Sequence, residues 1–188
     1  GHGKDNHWKA KLAETIRFFG KTFVLMSGKK DVQLLGRLLQ EQGLADCTVY
    51  TGYQLSYPEE QVMQLTPEAC EHVERDGLYI CMILNGQAVE KPVTCGIRDD
   101  AFLRDKVPMT KEEIRTLSVC KLQLKENSVC YDIGSGTGSI AVEIAALSGT
   151  IQVYAVERKP FAVELIRKNK AQFHLPNLEI IEGVAPDC

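Results

Sequence analysis

The sequence predicts an α/β chain in two parts, the second of them an incomplete Rossmann-like, doubly wound parallel sheet. Three observations carry this. From residue 129 onward, short apolar runs of strand type alternate with longer stretches of helical periodicity. A turn with Gly134, Gly136 and Gly138 joins the first of those runs to the helix after it. Residues 85–96, polar, aperiodic and punctuated by Gly86, Pro92 and Gly96, read as a linker between residues 1–84 and residues 97–188.

Taken in order, His7 to Phe19 suits a helix with Trp8, Leu12, Ile16 and Phe19 on one stripe and Gly20 as its stop. Thr22 to Met26 is a strand, and Ser27-Gly28 turns the chain. Asp31 to Gln42 is a helix that buries Leu34, Leu35, Leu38 and Leu39, closed by Gly43. Cys47 to Tyr53 and Gln61 to Leu65 are strands around a turn-rich loop that contains the acids Glu59 and Glu60, and Tyr50, Tyr53 and Tyr57 read as strand packing. Thr66-Pro67 is an N-cap followed by proline at the first helical position, opening a short helix to Glu74. The unbroken apolar run Leu78 to Leu84 reads as a strand buried on both faces, the kind found in parallel sheets.

Past the linker, residues 97–109 are irregular, and the acids Asp99 and Asp100 there read as solvated. Thr110 and Glu113 have capping-box spacing and open a helix to about Leu122. Strands at 129–132, 151–156 and 178–182 then alternate with helices at 139–147 and 160–173. A doubly wound sheet binds its ligand where the strand order reverses beside the first strand. Three strands give half of such a sheet, so the strand from Val129 is expected to have an open edge, and open edges invite pairing with another chain.

Composition narrows the function classes. With 188 residues, 44% hydrophobic and 25% charged, and a net charge of -3, the chain has a globular composition and no basic excess, which disfavours nucleic acid as a partner. Its seven cysteines are odd in number and never in Cys-x-x-Cys spacing, so they read as apolar fillers in a reducing compartment. The four histidines lack ligand spacing, and no metal is expected. The absence of a long apolar run or a signal-type N-terminus leads us to expect a cytoplasmic location with no membrane contact.

The chemistry concentrates at Val129 to Gly138. A strand that breaks into glycines before a helix brings backbone N–H groups and the positive end of the helix dipole to one corner. The dinucleotide fingerprint wants its third glycine three places after the second, but Ser139 stands there, and glycine comes one place early at Gly138. This disfavours a dinucleotide-dependent oxidoreductase. Asp132 precedes the glycines, and Glu157, about 20 residues further on, ends the next apolar run, where an acid hydrogen-bonds ribose in nucleotide-binding folds. The corner resembles motif I of the S-adenosylmethionine-dependent methyltransferases, whose ligand offers a carboxylate, an ammonium and a sulfonium.

Longer matches extend the likeness. Gly96 to Phe102, Lys106 to Arg115 and Asp132 to Gly138 resemble the start of the cobalamin-pathway C-15 methyltransferase and decarboxylase. His2-Gly3-Lys4, the Leu38-Leu39 helix ending in Gly43-Leu44, and Leu55 to Glu60 resemble the C-terminal subdomain of its fusion partner, the C-5 tetrapyrrole methylase. The module order is that of the precorrin C5,15-methyltransferase (decarboxylating) family. The resemblance implies a tetrapyrrole methylase C-terminal subdomain over residues 1–84 and the N-terminal half of a methyltransferase domain over 97–188. It implies S-adenosylmethionine as cofactor, held by Thr110, Asp132, Gly134, Ser135, Gly136, Thr137, Gly138, Glu157 and, through its backbone at the adenine, Ala185. It implies a precorrin-type tetrapyrrole as substrate; the open edge of the strand from Val129, for its part, leads us to expect a homo-oligomer. Arg98, Arg104 and Lys106 are candidate contacts for substrate carboxylates, though isolated surface cations more often face solvent. Where the family has Glu-Gly-Asp-Ala-Pro, this chain has Val184 in place of the acid.

Methyl transfer needs positioning rather than a nucleophilic side chain, and none is evident. The leading expectation is an enzyme fragment with little turnover alone. The rival is a non-catalytic assembly piece whose open sheet edge a second chain completes.

Overall fold

A computed structural model describes residues 7–91 and 94–188; the stretch His2-Gly3-Lys4 and the linker residue Pro92 lie outside the described residues. The described residues divide into two compact units, residues 12–91 and residues 94–188 with residues 7–11.

The first unit holds α1 (His7–Phe18) from Leu12 on, β1 (Lys21–Met26), α2 (Lys29–Glu41), β2 (Thr48–Tyr53), β3 (Gln61–Leu65), α3 (Pro67–Cys70) and β4 (Tyr79–Leu84). Its sheet runs β1-β4-β2-β3, and every neighbouring pair is antiparallel. The expectation of a two-face-buried, parallel-type strand at Leu78–Leu84 is therefore corrected. Tyr79, Cys81 and Ile83 enter the core, whereas Ile80, Met82 and Leu84 face the other side and stay half-buried. An apolar run masked the two-residue alternation that the backbone imposes on any strand.

The core joins Val32, Leu35 and Leu39 of α2 to Val49, Tyr79, Cys81 and Ile83 of the sheet and to Ile16 of α1. Leu34 stays half-buried, one position off that stripe. Burial pushes the Cys70 thiol up to about 11 and the Cys81 thiol up to about 12, so both remain protonated fillers. Tyr53 packs its ring 5.0 Å from that of Tyr79, but Tyr57 is exposed in the loop rather than packed. Glu60 is a turn acid, accepting the Ser56 N–H at 2.7 Å.

Thr66 is the N-cap of α3, its side chain accepting from the Ala69 N–H, with Pro67 at the first position. The helix stops at Cys70, short of Glu74. Thr110 does not repeat this. Helix α4 (Glu112–Lys121) starts after Lys111, which is its N-cap and makes no side-chain cap bond. Moving the cap one residue along takes Thr110 and Glu113 out of capping-box register, because the box pairs the N-cap with the third helical position.

The second unit adds β5 (Val129–Ile133), α5 (Ser139–Leu147), β6 (Gln152–Glu157), α6 (Pro160–Gln172) and β7 (Leu178–Glu182). The three strands are parallel in the order β5-β6-β7, the parallel sheet that the alternation predicts. Val153, Ala155 and Leu178 pack with Ala141, Ile144, Ala145 and Ile166 of the two helices in the core. Among the described residues β5 pairs only with β6, and its Val129, Tyr131 and Ile133 are exposed. Cys95 and Cys120, 25 residues apart, bring their sulfurs to 3.2 Å as free thiols, a proximity that spacing alone could not reveal. Among the described residues no helix is long and apolar enough to cross a membrane.

The two threonines separate cleanly in a stability measurement. Thr66→Ala is expected to cost about 1 kcal/mol in urea unfolding, and Thr110→Ala less than about 0.5 kcal/mol, because only the first side chain caps a helix.

Candidate cofactor site

The corner is built from the end of β5, the glycine loop and the start of α5. Gly134, Gly136 and Gly138 have φ of +77°, +59° and +77°, a region that side chains enter only at a cost. Their surroundings differ. A Cβ at Gly138 would stand 3.0 Å from Ile166 of α6, so this glycine allows helix and loop to close up. A Cβ at Gly134 would meet nothing within 4 Å, which leaves the backbone of β5's last turn open to an approaching molecule. The Gly134 and Ser135 N–H groups both donate to the Val156 carbonyl of β6, at 2.8 and 3.1 Å, and Gly138 N–H donates to the Ser135 carbonyl at 2.8 Å. The loop is thus bound to β6 and to itself, rather than offering all its donors outward.

Glu157 ends β6 and turns back to this loop. Its Oε2 accepts the Gly136 N–H at 3.0 Å, and its Oε1 accepts the Arg158 and Lys159 N–H groups at the start of α6, at 2.9 and 3.0 Å. Burial raises its pKa, but the Lys159, Gly136 and Arg158 N–H groups and the Lys159 charge outweigh that and hold the carboxyl below its ordinary value. Asp132 shifts the other way: burial raises it, more than the hydrogen bond from Ser135 Oγ, at 2.6 Å, lowers it, and the nearby Glu157 charge adds to the rise.

A cleft of about 370 Å³ opens here, lined by Ile133, Gly134, Val156, Glu157, Arg158, Lys159, Gly183, Val184 and Ala185. Gly134, Glu157 and Ala185, three of the residues singled out in the sequence, share its wall. Asp132, Ser135, Gly136, Thr137, Gly138 and Thr110 do not line it. Thr137 and Gly138 are buried.

Beside the corner lies a polar knot that the sequence did not reveal. Arg115 of α4 is fully buried, its Nε donating to Glu143 Oε2 of α5 at 2.7 Å. Its Nη1 donates to the Thr110 carbonyl at 2.7 Å and to Asp99 Oδ1 at 3.0 Å, and its Nη2 to the Ile97 carbonyl. Glu143 also accepts the Gly96 and Ile97 N–H groups, and the guanidinium carbon stands 4.6 Å from the centre of the Phe102 ring. Asp99 is therefore a partner of a buried cation, not a solvated acid. The segment Gly96 to Thr110 is held by this knot as a strap, and its Pro108 carbonyl would lie 3.5 Å from a Cβ at Gly136. Arg98 faces solvent beside Asp100, 3.5 Å apart, and Arg104 and Lys106 are exposed. Among the described residues no group of three or more His, Cys, Asp or Glu could hold a metal ion.

Parallel strands wound with helices, a glycine corner on β5 and an acid at the end of β6 define a mixed α/β, methyltransferase-like fold. The relatives narrow the class. Residues 100–188 match the family model of the precorrin methyltransferase domain. The probable cobalt-precorrin-6B C(15)-methyltransferase (decarboxylating) of Sulfolobus acidocaldarius is 54% identical over 94 residues, 49% of this chain and 49% of that protein. The cobalt-precorrin-6B C(15)-methyltransferase (decarboxylating) of Salmonella typhimurium is 43% identical over 91 residues, 48% of this chain and 47% of that one. Among solved structures, the precorrin-6y C5,15-methyltransferase of Geobacter metallireducens is 36% identical over 52% of this chain and 51% of its own, with a TM-score of 0.48. The likeness read from Lys106 to Arg115 and from the glycine corner is borne out by the sequence relatives. The chain spans about half the length of the curated relatives it matches.

Two outcomes test the site's internal construction. Arg115→Met should destabilise the chain by about 3–5 kcal/mol in urea unfolding, since it strands a buried carboxylate, and Arg115→Met with Glu143→Leu should recover most of that loss. Glu157 is held low in the folded state, so its stabilisation is present above its unfolded value and lost as pH falls through the folded one. The acid limb of the stability profile should accordingly be flatter in Glu157→Gln than in the unaltered chain.

Proposed function

We propose that residues 97–188 form the cofactor-binding half of an S-adenosylmethionine-dependent methyltransferase that acts on a precorrin-type tetrapyrrole in cobalamin biosynthesis, with decarboxylation of an acetate side chain in the complete enzyme. We further propose that residues 1–84 are the C-terminal subdomain of a C-5 tetrapyrrole methylase, joined through residues 85–96. The observation that carries the cofactor reading is the cleft in which the Glu157 carboxylate, the open Gly134 backbone and the Gly183 to Ala185 segment meet.

The residues fit the group. A carboxylate has about four acceptor positions; the N–H groups on Glu157 take two on Oε1 and one on Oε2, which leaves Oε2 capacity for a ribose hydroxyl. The low pKa keeps that acceptor ionised at neutral pH. Gly134 leaves room for the donor's amino-acid part, and Asp132 sits at the loop as a partner for its ammonium. Ala185 supplies backbone on the cleft wall, and Val184 stands where the family has an acid, so adenine recognition lacks one side-chain acceptor. When bound, the cofactor supplies an electrophilic methyl group on sulfur. The chain's own contribution is to bind and orient, and no side chain here is asked to act as nucleophile.

The second reading, an assembly piece completed by another copy, is favoured by one observation: the exposed Val129, Tyr131 and Ile133 on the edge strand β5. Calorimetric titration with S-adenosylhomocysteine decides between them. Saturable binding that Glu157→Ala weakens by about tenfold or more, the equivalent of a hydrogen bond to a charged group, supports the methyltransferase reading. No heat of binding together with a stable dimer supports the assembly reading, and preference for NADH would contradict both.

A further inference from the structure

We propose that Asn169 is a positioning residue for the cofactor loop, coupling the glycine turn to the strap that crosses beside it; the inference rests on the methyltransferase reading above. Asn169 lies on α6, is fully buried, and does not line the cleft. Its side-chain amide makes three hydrogen bonds, all to main chain of other segments. Nδ2 donates to the Thr137 carbonyl at 2.9 Å and to the Leu103 carbonyl at 2.8 Å, and Oδ1 accepts the Leu103 N–H at 2.8 Å.

The consequence lies in the peptide plane between Thr137 and Gly138. A trans peptide is rigid, with its C=O and N–H pointing opposite ways. Asn169 holds the C=O of this plane, and the Ser135 carbonyl holds its N–H at 2.8 Å. Both ends of the plane are pinned, which fixes the left-handed angle at Gly138 and the course of Gly134 to Gly136 before it. On its other side Asn169 saturates both backbone groups of Leu103, as a neighbouring strand would. Gln172, three residues on and on the same face of α6, donates to the Ala101 carbonyl at 2.7 Å and extends the tie. The strap so anchored runs on to Pro108, against Gly136, and to Thr110. One side chain therefore sets the distance between two pieces of the site that share no helix or strand.

The same unit contains its own control. Asn177 is also buried and also spends its side chain on main chain, with Nδ2 donating to the Ala145, Ser148 and Ile151 carbonyls at 2.9, 3.1 and 2.8 Å, all away from the glycine loop. A merely structural asparagine should behave like Asn177. In titrations with S-adenosylhomocysteine below the unfolding range, Asn169→Leu is expected to raise the dissociation constant about tenfold or more, whereas Asn177→Leu leaves it within about twofold. Equal effects of the two substitutions would overturn the proposal. Asn169→Ser provides a milder variant, and amide hydrogen exchange provides a readout that needs no ligand. Asn169→Ser should speed exchange at Leu103 and at Gly134, Gly136 and Gly138 together, and unchanged glycine-loop amides would overturn the coupling even where Asn169→Leu fails to fold. If the unaltered chain binds no S-adenosylhomocysteine, the methyltransferase reading fails while the exchange experiment still decides the role of Asn169.

Discussion

The Glu157 carboxylate is the joint on which the second unit's site depends. It stands at the end of β6, accepts from Gly136 in the loop that leaves β5, and accepts from Arg158 and Lys159 where α6 begins. A single ionised group thereby fastens strand, loop and helix N-terminus at one point. Backbone donors around a carboxylate make charge-assisted bonds, roughly twice as strong as neutral ones, and they hold the group in its charged form. The price is that the loop does not present all its N–H groups to a ligand: Gly134 and Ser135 are turned onto the Val156 carbonyl. On the proposed reading, recognition then falls to the shape of the cleft, the free capacity of Glu157, the Asp132 carboxylate and the Ala185 backbone.

Around that joint the chain builds a frame from polar side chains rather than from further strands. Arg115 and Glu143 meet with no solvent exposure to speak of and draw in the Thr110, Ile97 and Gly96 backbone. Asn169 takes both backbone groups of Leu103. The strap between Gly96 and Thr110, a short 3-10 turn at Asp99–Ala101 apart, carries no secondary structure, so its buried amides need partners from side chains. This explains why fully buried charged and amide groups cluster in this unit beside an otherwise apolar core of Val, Ile and Ala. Each of these groups is stabilising only while its partners stay in place, which makes the strap a specified path rather than a loose connection.

How much of this was legible depended on whether a feature is local in sequence. The three strands and two helices of residues 129–182 were, because period, glycine punctuation and strand length all agree there. Thr66-Pro67 was legible for the same reason, a cap and its proline being neighbours. Thr110 was not: its spacing to Glu113 imitates a capping box, but the first helical hydrogen bond runs from the Arg115 N–H to the Lys111 carbonyl, so the helix starts one residue later. The antiparallel order of the first sheet was hidden because Tyr79 to Leu84 is apolar at every position, so the pattern carried no face. Arg115 and Glu143 stand 28 residues apart and Asn169 stands 66 from Leu103, and nothing in a charged or amide residue on a helix announces burial. A weak signal was present: Glu143 sits in the otherwise apolar segment Ser139–Leu147, where an unpaired acid would be costly.

The central claim is that the Gly134 corner and Glu157 together form the seat of an adenosyl amino acid. The most direct measurement is an ¹H–¹⁵N correlation spectrum of the chain titrated with S-adenosylhomocysteine. The account predicts saturable shifts centred on the amides of Gly134, Gly136, Arg158, Lys159 and Gly183, with the amides of the first sheet unmoved. Saturable shifts that leave those five amides in place and appear elsewhere would contradict it.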